Sequence, residues 1–142
     1  MDITKITDNV YLSGAITNYE QLDDIDVVIN CRSECHDAVD TLSKMGISYF
    51  WIPVPDWGAP VHEQCTTFLN IIRDCQFKNV LVHCAQGRGR SAMLVMLAVV
   101  DANYGEMSVD EAINFVKEKR PIVSLTEIQE RKLRIESESI DE

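Results

Sequence analysis

Short apolar runs along the chain predict three buried strands. They are residues 26–31 (DVVINC), 49–54 (YFWIPV) and 79–83 (NVLVH), each rich in β-branched or aromatic side chains. Runs of this length and composition are typical of strands that are covered on both faces of a sheet. The pattern therefore predicts a sheet whose strands lie far apart in the sequence.

Apolar residues at helical spacing predict helices around these strands. The first covers residues 38–45 and ends at Gly46, a residue that readily adopts the left-handed conformation of a helix C-terminus. The second begins at Pro60, which suits a first helical turn. Its apolar face comprises Val61, Cys65, Phe68, Leu69 and Ile72. Residues 92–100 (AMLVMLAVV) are apolar on all sides, which predicts a helix in the centre of the domain.

Two more helices are predicted near the C-terminus. Ser108 and Glu111 have the spacing of a capping box, and Pro121 ends the helix that follows them. Ser124 and Glu127 repeat the capping spacing for a last helix. This helix runs into an acidic tail, which we expect to fray.

The order of these elements predicts the fold class. Strands that alternate with helices form right-handed crossovers. We therefore expect an α/β fold, a single domain over residues 1–142 with a central, mostly parallel sheet of four to five strands flanked by helices. Ligands bind beyond the carboxyl ends of the strands in such sheets. Cys84 and Asp56 each follow a predicted strand, so both are expected at that edge.

Composition and charge narrow the function classes. With 46% hydrophobic and 25% charged residues the chain has the balance of a globular protein, and its formal net charge of −10 argues against an extended nucleic-acid surface. The longest uncharged apolar stretch, residues 92–100, is far shorter than the ~20 residues that span a bilayer. The N-terminus lacks the apolar run of a signal peptide. Five cysteines, an odd number, predict free thiols and a cytoplasmic location.

The strongest chemical signal is the segment HCAQGRGRS at residues 83–91, between a predicted strand and the central helix. Loop amides and a helix N-terminus together form an anion site, and glycines let the backbone approach the bound oxygens. An arginine holds two phosphate oxygens, and a thiol in this field loses its proton, which makes Cys84 a nucleophile. The predicted phosphate-binding residues are Ala85, Gln86, Gly87, Arg88, Gly89 and Arg90. A buried structural cysteine beside a glycine turn is the simpler alternative, which this combination of residues disfavours.

The segment resembles the His-Cys-x5-Arg-Ser/Thr signature of the protein tyrosine phosphatase superfamily. Residues 6–14 (ITDNVYLSG), the strand at 26–31, the PDWGAP segment and the C-terminal helices are also similar to small dual-specificity phosphatases. The Lys-Asn-Arg-Tyr-type motif that deepens the pocket of tyrosine-specific members does not occur in the sequence. The resemblance implies a compact phosphatase with a shallow pocket for phosphotyrosine and phosphoserine or phosphothreonine.

The resemblance also implies the remaining catalytic residues. Asp56, in PDWGAP, follows a strand and is flanked by turn residues, and a departing alkoxide or phenoxide needs a proton that a thiolate cannot supply. We expect Cys84 to attack phosphorus while Asp56 protonates the leaving oxygen and later activates water. The Ser91 hydroxyl would ease release of the Cys84 sulfur. His83 would orient the loop or tune the thiol.

Other side chains are assigned less definite roles. One wall of the cleft is expected to include Arg32, Glu34, His36 and Asp37. Gln129 is a candidate for positioning water, and Arg88 for a second contact to a polyanionic head group. A protective disulfide between Cys84 and either Cys31 or Cys35 is a further hypothesis, with buried structural cysteines as the simpler interpretation.

Three function classes remain open. The first is a protein phosphatase of dual specificity, and the second is a phosphatase of a non-protein ester such as a phosphoinositide, phosphatidylglycerophosphate or an RNA 5′-triphosphate. The third is an inactive phosphate-binding module or a rhodanese-like sulfurtransferase, which would have no use for Asp56 or the Arg-Ser ending. We expect a monomer whose partner is a phosphorylated protein or a phospholipid. We expect no cofactor and no metal, because the histidines show no ligand spacing: His36, His62 and His83.

Overall fold

A five-stranded sheet organises the molecule. The structure, a computed structural model, describes residues 1–140. A short 3-10 helix lies at Tyr19–Leu22. The other elements are β1 (Ile3–Lys5), β2 (Val10–Ser13), β3 (Val27–Arg32), α1 (Val39–Lys44), β4 (Ser48–Val54), α2 (His62–Asp74), β5 (Val80–His83), α3 (Arg90–Ala102), α4 (Val109–Lys119) and α5 (Glu127–Ser139).

The strands follow the order β1-β2-β5-β3-β4 across the sheet. The β1–β2 pair is antiparallel, and the other three pairs are parallel. The predicted α/β class, with a mostly parallel sheet flanked by helices, is confirmed. In the β3–β5 pair Asn30 lies opposite His83, so the residues that follow both strands meet at one edge of the sheet.

The two faces of the sheet are covered by different helices. Val80 and Val82 of β5 face a core that α2, α3, α4 and α5 complete, whereas Leu81 faces a smaller core with Leu42 of α1. This alternation is the two-residue period of a strand that is buried on both faces. Residues 90–100 of α3 are all buried, so the predicted central helix is confirmed.

The hydrophobic pattern did not reveal the two N-terminal strands. β1 has three residues and β2 has four, so neither is long enough to establish a two-residue period. β2 is recruited by tertiary pairing, because its Tyr11 lies opposite Leu81 of β5. This placement brings Ser13 and Gly14 beside the loop that follows β5.

The predicted helix start at Pro60 is wrong by two residues. α2 begins at His62, and the backbone N–H of Val61 donates to Gln64 Oε1 at 3.0 Å. The Val61 side chain is 56% exposed and does not belong to the buried face. The predicted end of the first helix is confirmed, because Gly46 follows α1 and has a φ of 77°, in the left-handed region.

The capping box predicted for α4 is confirmed, and the one predicted for α5 is displaced. Ser108 Oγ accepts from the N–H of Glu111, while Glu111 Oε1 accepts from the N–H of Ser108, both at 3.1 Å. In α5 the same exchange joins Thr126 and Gln129. Ser124 lies outside the helix, because its N–H donates to the carbonyl of Arg88 in the cysteine loop.

The acidic tail is more ordered than predicted. α5 continues to Ser139, and Leu133, Glu136 and Ser137 are buried against the domain. The expectation of fraying is therefore wrong up to residue 139, and residues 141–142 lie outside the described part of the chain. Across residues 1–140 no helix is both long and apolar enough to cross a bilayer.

Candidate active site

The loop between β5 and α3 surrounds the sulfur of Cys84, which is 3% exposed. Ser91 Oγ donates to Cys84 Sγ at 3.1 Å. The backbone N–H groups of Ser91, Gly87 and Gln86 also donate to this sulfur. Burial raises the pKa of the Cys84 thiol, but these donors outweigh it and hold the pKa below its ordinary value. The loop therefore favours a thiolate, as the sequence predicted from general principles.

The carbonyl groups of the loop are bound on its outer side. Ala85 O accepts from the N–H of Ala15 at 3.0 Å. The Arg120 guanidinium, 3% exposed, donates to Gly87 O at 2.9 Å and to Gln86 O at 3.1 Å. With their carbonyls held outside, successive peptide units of the loop turn their N–H groups towards the cavity. Sequence reasoning missed this role of Arg120, because nothing near it in the sequence refers to the loop.

The two glycines of the loop are required by close packing within the protein. Gly87 has a φ of +66°, and a Cβ built on it would lie 2.6 Å from the carbonyl of Ser13. A Cβ on Gly89 would lie 2.7 Å from Gln129 Oε1. The glycines were predicted to admit bound oxygens, and the structure adds neighbouring protein groups that no side chain could accommodate.

Arg90, the first residue of α3, has a buried guanidinium that is held by three acceptors. Nη1 donates to Glu34 Oε1 at 2.7 Å and to the carbonyl of Val54 at 2.9 Å, and Nη2 donates to Glu34 Oε2 at 3.0 Å. This guanidinium lowers the pKa of Glu34 to about 2. Glu34 thus orients Arg90 from a position that is 56 residues earlier in the chain.

Asp56 lies within reach of the same guanidinium. Its Oδ1 is 3.5 Å from Arg90 Nη2, and its side chain is 63% exposed. A cavity of about 330 Å³ opens over the cysteine loop, and Asp56, Cys84 and Arg90 all line it. The structure therefore brings the predicted acid, nucleophile and phosphate-binding arginine to one cavity. Ser91 lies beneath it, against the sulfur.

The remaining predicted loop residues lie at the rim or the floor. Ala85, Gln86, Arg88 and Gly89 line the cavity. Arg88 is exposed, and its guanidinium donates to the carbonyl of Ile122 at 3.2 Å and to Gln86 Oε1 at 3.3 Å. Gly87 does not line this cavity, and its contribution is the backbone N–H that it directs at Cys84.

The predicted cleft wall is wrong as a group, because its members separate. Glu34 binds Arg90. Asp37, 9% exposed, instead accepts from Arg32 at 3.0 Å and lies 2.7 Å from Nε2 of the buried His83. His36 packs against the exposed ring of Trp51, with the two ring planes tilted by 41°. Asp37 is therefore buried beneath the cysteine loop, where its contact with Nε2 holds the His83 ring in place.

Gln129 and the spare cysteines are also placed by the structure. Gln129 is 1% exposed, and its amide binds two backbone groups. Cys31 follows Asn30, the residue that pairs with His83. Its thiol pKa is raised, mainly because the thiol is buried and also because Cys84 is close to it. Cys35 is exposed. A disulfide from either cysteine to Cys84 stays a prediction.

The chain is similar to a known family of proteins. The catalytic domain of the dual specificity phosphatases matches residues 10–138. The chain belongs to the dual specificity phosphatase family. The predicted enzyme class, a protein-tyrosine or dual-specificity phosphatase domain, is confirmed by this match.

Individual relatives agree with the family assignment. The tyrosine-protein phosphatase vhp-1 of Caenorhabditis elegans is 35% identical over 130 residues, which cover 86% of this chain and 19% of that protein. The protein tyrosine phosphatase type IVA 3 of Bos taurus is 30% identical over 122 residues, 83% of this chain and 68% of that protein. This dual specificity phosphatase domain therefore spans about a fifth of the length of the nematode relative.

The fold has solved counterparts as well. A crystal structure of Tk-PTP in the active form superimposes with a TM-score of 0.85 at 28% identity, covering 96% of each chain. The dual specificity phosphatase fold thus extends over nearly the whole chain, including the N-terminal strands that the hydrophobic pattern did not reveal.

Proposed function

We propose that the protein is a cysteine-dependent phosphomonoesterase that removes phosphate from phosphotyrosine and phosphoserine or phosphothreonine proteins. The observation that carries this proposal is the convergence of Cys84, Arg90 and Asp56 on one cavity. Hydrogen bonds to the sulfur at its floor lower the pKa of the Cys84 thiol and so favour the thiolate, which is the form that acts as a nucleophile. A sulfurtransferase would need neither the arginine nor the carboxyl group.

Arg90 retains one edge of its guanidinium for phosphate. Glu34 and Val54 occupy both hydrogens of Nη1 and one hydrogen of Nη2. Within the described residues, the parallel Nε–H and second Nη2–H make no hydrogen bond to protein, and Asp56 Oδ1 forms an ion pair with Nη2 at 3.5 Å. This edge can bind two phosphate oxygens, which is the bidentate geometry that arginine prefers with phosphate. The loop amides are available to the remaining equatorial oxygen.

In the first chemical step the Cys84 thiolate attacks phosphorus and the bond from phosphorus to the ester oxygen breaks. The sulfur–phosphorus bond forms with the electron pair of the thiolate, and the ester bond's pair leaves with the oxygen. Asp56 gives that oxygen a proton, so that an alcohol or phenol departs. Asp56 is left as a carboxylate near Arg90 Nη2.

In the second step water hydrolyses the thiophosphate. The Asp56 carboxylate takes a proton from the water as its oxygen attacks phosphorus, and the sulfur–phosphorus bond breaks. The sulfur departs as a thiolate, which the Ser91 hydroxyl stabilises through its bond of 3.1 Å. Inorganic phosphate leaves and Asp56 is protonated for the next turnover. This sequence uses no metal and no cofactor.

Charge supports a protein substrate over a lipid one. A formal net charge of −10 opposes approach to an anionic membrane surface. One observation favours the alternative, a phosphoinositide or phosphatidylglycerophosphate: Arg88 is exposed at the cavity rim, where it could meet a second phosphate. We infer a reducing, cytoplasm-like compartment, because the Cys84 thiolate has to remain unoxidised.

Parallel turnover assays test the proposal. Phosphotyrosine peptide, phosphothreonine peptide, phosphoinositide and phosphatidylglycerophosphate are compared in the presence of EDTA, with Cys84→Ser and the remote Cys75→Ser as a matched pair. We expect both peptides to be the better substrates, Cys75→Ser to be active and Cys84→Ser to be inactive. If a lipid is hydrolysed faster than both peptides, the substrate class is a phospholipid and not a phosphoprotein. Phosphate release from none of the four, or release that persists in Cys84→Ser, would overturn the proposal.

A further inference from the structure

The loop that carries Asp56 has an unusual backbone conformation, in which the N–H of Trp57 donates to Asp56 Oδ1 at 3.1 Å. Trp57 has a φ of 67°, in the left-handed region, which is unfavourable for a bulky residue. Its side chain is 73% exposed, so packing of the ring does not hold this conformation. The N–H of Gly58 donates to the carbonyl of Pro55 at 2.9 Å, which closes the turn but leaves the carbonyls of Trp57 and Gly58 directed outward.

The first turn of α5 binds both of these carbonyls. Thr126 Oγ1 donates to Trp57 O at 3.2 Å, and Gln129 Nε2 donates to Gly58 O at 2.9 Å. The two donors come from a helix that is about 70 residues further along the chain, at separations of 69 and 71. A strained conformation persists where surrounding groups over-determine it, and Thr126 and Gln129 add two such restraints to the hydrogen bonds within the loop.

The same glutamine touches the cysteine loop. Gln129 Oε1 lies 2.7 Å from the position that a Cβ of Gly89 would occupy. The side chain is 1% exposed, and Oε1 also accepts from the N–H of Thr126 at 2.9 Å. Both polar atoms of the amide are therefore bound to backbone, and the side chain fills the space between the acid loop and the beginning of α3.

We propose that Gln129 and Thr126 are positioning residues that clamp the acid loop and thereby hold Asp56 over Cys84. The inference rests on the proposed function, since it concerns the proton that Asp56 delivers. It assigns Gln129 a role other than the positioning of water that the sequence suggested, because its amide binds the backbone of Gly58 and Thr126. Both residues line the cavity, and the role proposed for them acts through Asp56 rather than through a contact with the substrate.

The clamp has a consequence that a merely stabilising role would not have. A phosphate ester of a strongly acidic phenol can lose its leaving group as the anion, whereas an alkyl ester such as phosphothreonine needs the proton of Asp56. Displacing Asp56 by about 1 Å is expected to slow proton transfer by up to about 100-fold. Loss of the clamp should therefore lower kcat/KM selectively for esters with a poor leaving group.

The main experiment compares Gln129→Leu with Glu111→Leu. Both residues occupy the third position of a capping box, in α5 and α4 respectively, but Gln129 alone binds the acid loop. The two variants are assayed with a phosphothreonine peptide and with an aryl phosphate of an acidic phenol. We expect kcat/KM of Gln129→Leu to fall about 10- to 100-fold on the peptide and less than about two-fold on the aryl ester. Glu111→Leu should change neither.

Several outcomes would overturn the inference. An equal fall of kcat/KM on both substrates would make Gln129 a structural residue, and an unchanged kcat/KM on both substrates would remove it from the reaction. In an Asp56→Asn background the selective effect of Gln129→Leu must disappear, and an effect that persists would also contradict the clamp. If Gln129→Leu does not fold, Thr126→Ala and its matched cap Ser108→Ala decide by the same ratio. If the unaltered protein hydrolyses neither ester, the proposed function fails first and the clamp fails with it.

Discussion

Ser91 and Cys84 are separated by seven positions in the sequence and by 3.1 Å between Oγ and Sγ. The hydroxyl lies at the beginning of α3, buried, and the sulfur ends the strand side of the same loop. The local spacing of the loop therefore sets the chemistry of the thiol.

Ser91→Ala removes the hydroxyl bond to the sulfur and should raise the pKa of Cys84. A hydrogen bond to a charged group contributes about 1.5–3 kcal/mol, so breakdown of the thiophosphate should slow by about 10- to 100-fold. The rate of alkylation by iodoacetate against pH reports the thiol, and kcat reports the breakdown. Ser137→Ala removes another buried helix hydroxyl, one that donates only to backbone, and is the control. An unchanged alkylation midpoint in Ser91→Ala would contradict the assignment.

Glu34→Gln should change how stability depends on pH. The folded-state pKa of Glu34 is about 2, below its ordinary 4.5, because of Arg90. A depressed pKa contributes stability above the ordinary value, and this contribution is lost as the pH falls towards 2. Glu34 is half exposed, so the effect is screened and modest. The melting-temperature difference between the unaltered protein and Glu34→Gln should be largest above about pH 5.

That difference should shrink towards zero as the pH falls to 2, because about half of the Glu34 carboxyl groups are then protonated in the folded state and the stabilising contribution is nearly lost. Glu127→Gln is the control for removing one negative charge, because Glu127 pairs with Arg131 on the surface and its side chain is 88% exposed. A difference for Glu34→Gln that stays constant from pH 6 to pH 2 would show that the Arg90 contact does not depend on the Glu34 charge.

Sequence could identify the residues whose partners are local. Cys84, Arg90 and Ser91 lie within one loop, so their spacing alone defined the anion site. Glu34 was expected only as part of a cleft wall, and Arg120 was not expected at the site. Their contacts to the loop span 56 and 33 positions and depend on how the sheet and helices pack. Asp56 was placed correctly because the edge of a parallel sheet collects the residues that follow its strands.

At the scale of elements, the cysteine loop is shaped by its neighbours as much as by its own residues. Gly87 packs against the carbonyl of Ser13, at the end of β2, and Arg120 beyond α4 binds the loop carbonyls. The hydrophobic pattern missed the short strands β1 and β2, and the capping spacing misplaced the beginning of α5. Their positions depend on pairing with β5 and on the bonds between α5 and the acid loop, which periodicity does not register.

Gly87→Ala should disrupt the loop, and Gly105→Ala provides a matched control. Both glycines have positive φ, +66° and +77°, so either substitution strains the backbone by about 1 kcal/mol or more. A Cβ at Gly105 meets nothing within 4 Å, whereas at Gly87 it meets the Ser13 carbonyl at 2.6 Å. We expect Gly87→Ala to unfold at lower urea and to lose affinity for inorganic phosphate. Equal effects of the two substitutions on phosphate affinity would contradict this account.

For the whole molecule, the site binds anions although the chain as a whole is negatively charged. The cavity holds the buried guanidinium of Arg90 and the N–H donors of the cysteine loop, which attract an anionic phosphate, while the chain carries a formal net charge of −10. The long-range field repels anions, and the short-range donors of the loop bind them. Substrate choice should therefore depend on the charge that accompanies the phosphate.

Phosphopeptides with flanking lysines should have a higher kcat/KM than the same peptides with flanking glutamates. The preference should be strong at low salt and decline as salt is added, because screening shortens the range of the field. Measuring the ratio of kcat/KM across a salt series checks this expectation. A ratio that does not change with salt would assign the preference to direct contacts at the rim instead.

In the proposed mechanism Cys84 carries the phosphoryl group between the two steps, and this intermediate can be trapped. Protein that is denatured during turnover of an aryl phosphate is digested and analysed by mass spectrometry, with Ser91→Ala included because slower breakdown should raise the amount trapped. We predict a phosphate attached to the Cys84 peptide, more of it in Ser91→Ala and none in Cys84→Ser. Phosphate on any other residue, or turnover by Cys84→Ser, would contradict the account.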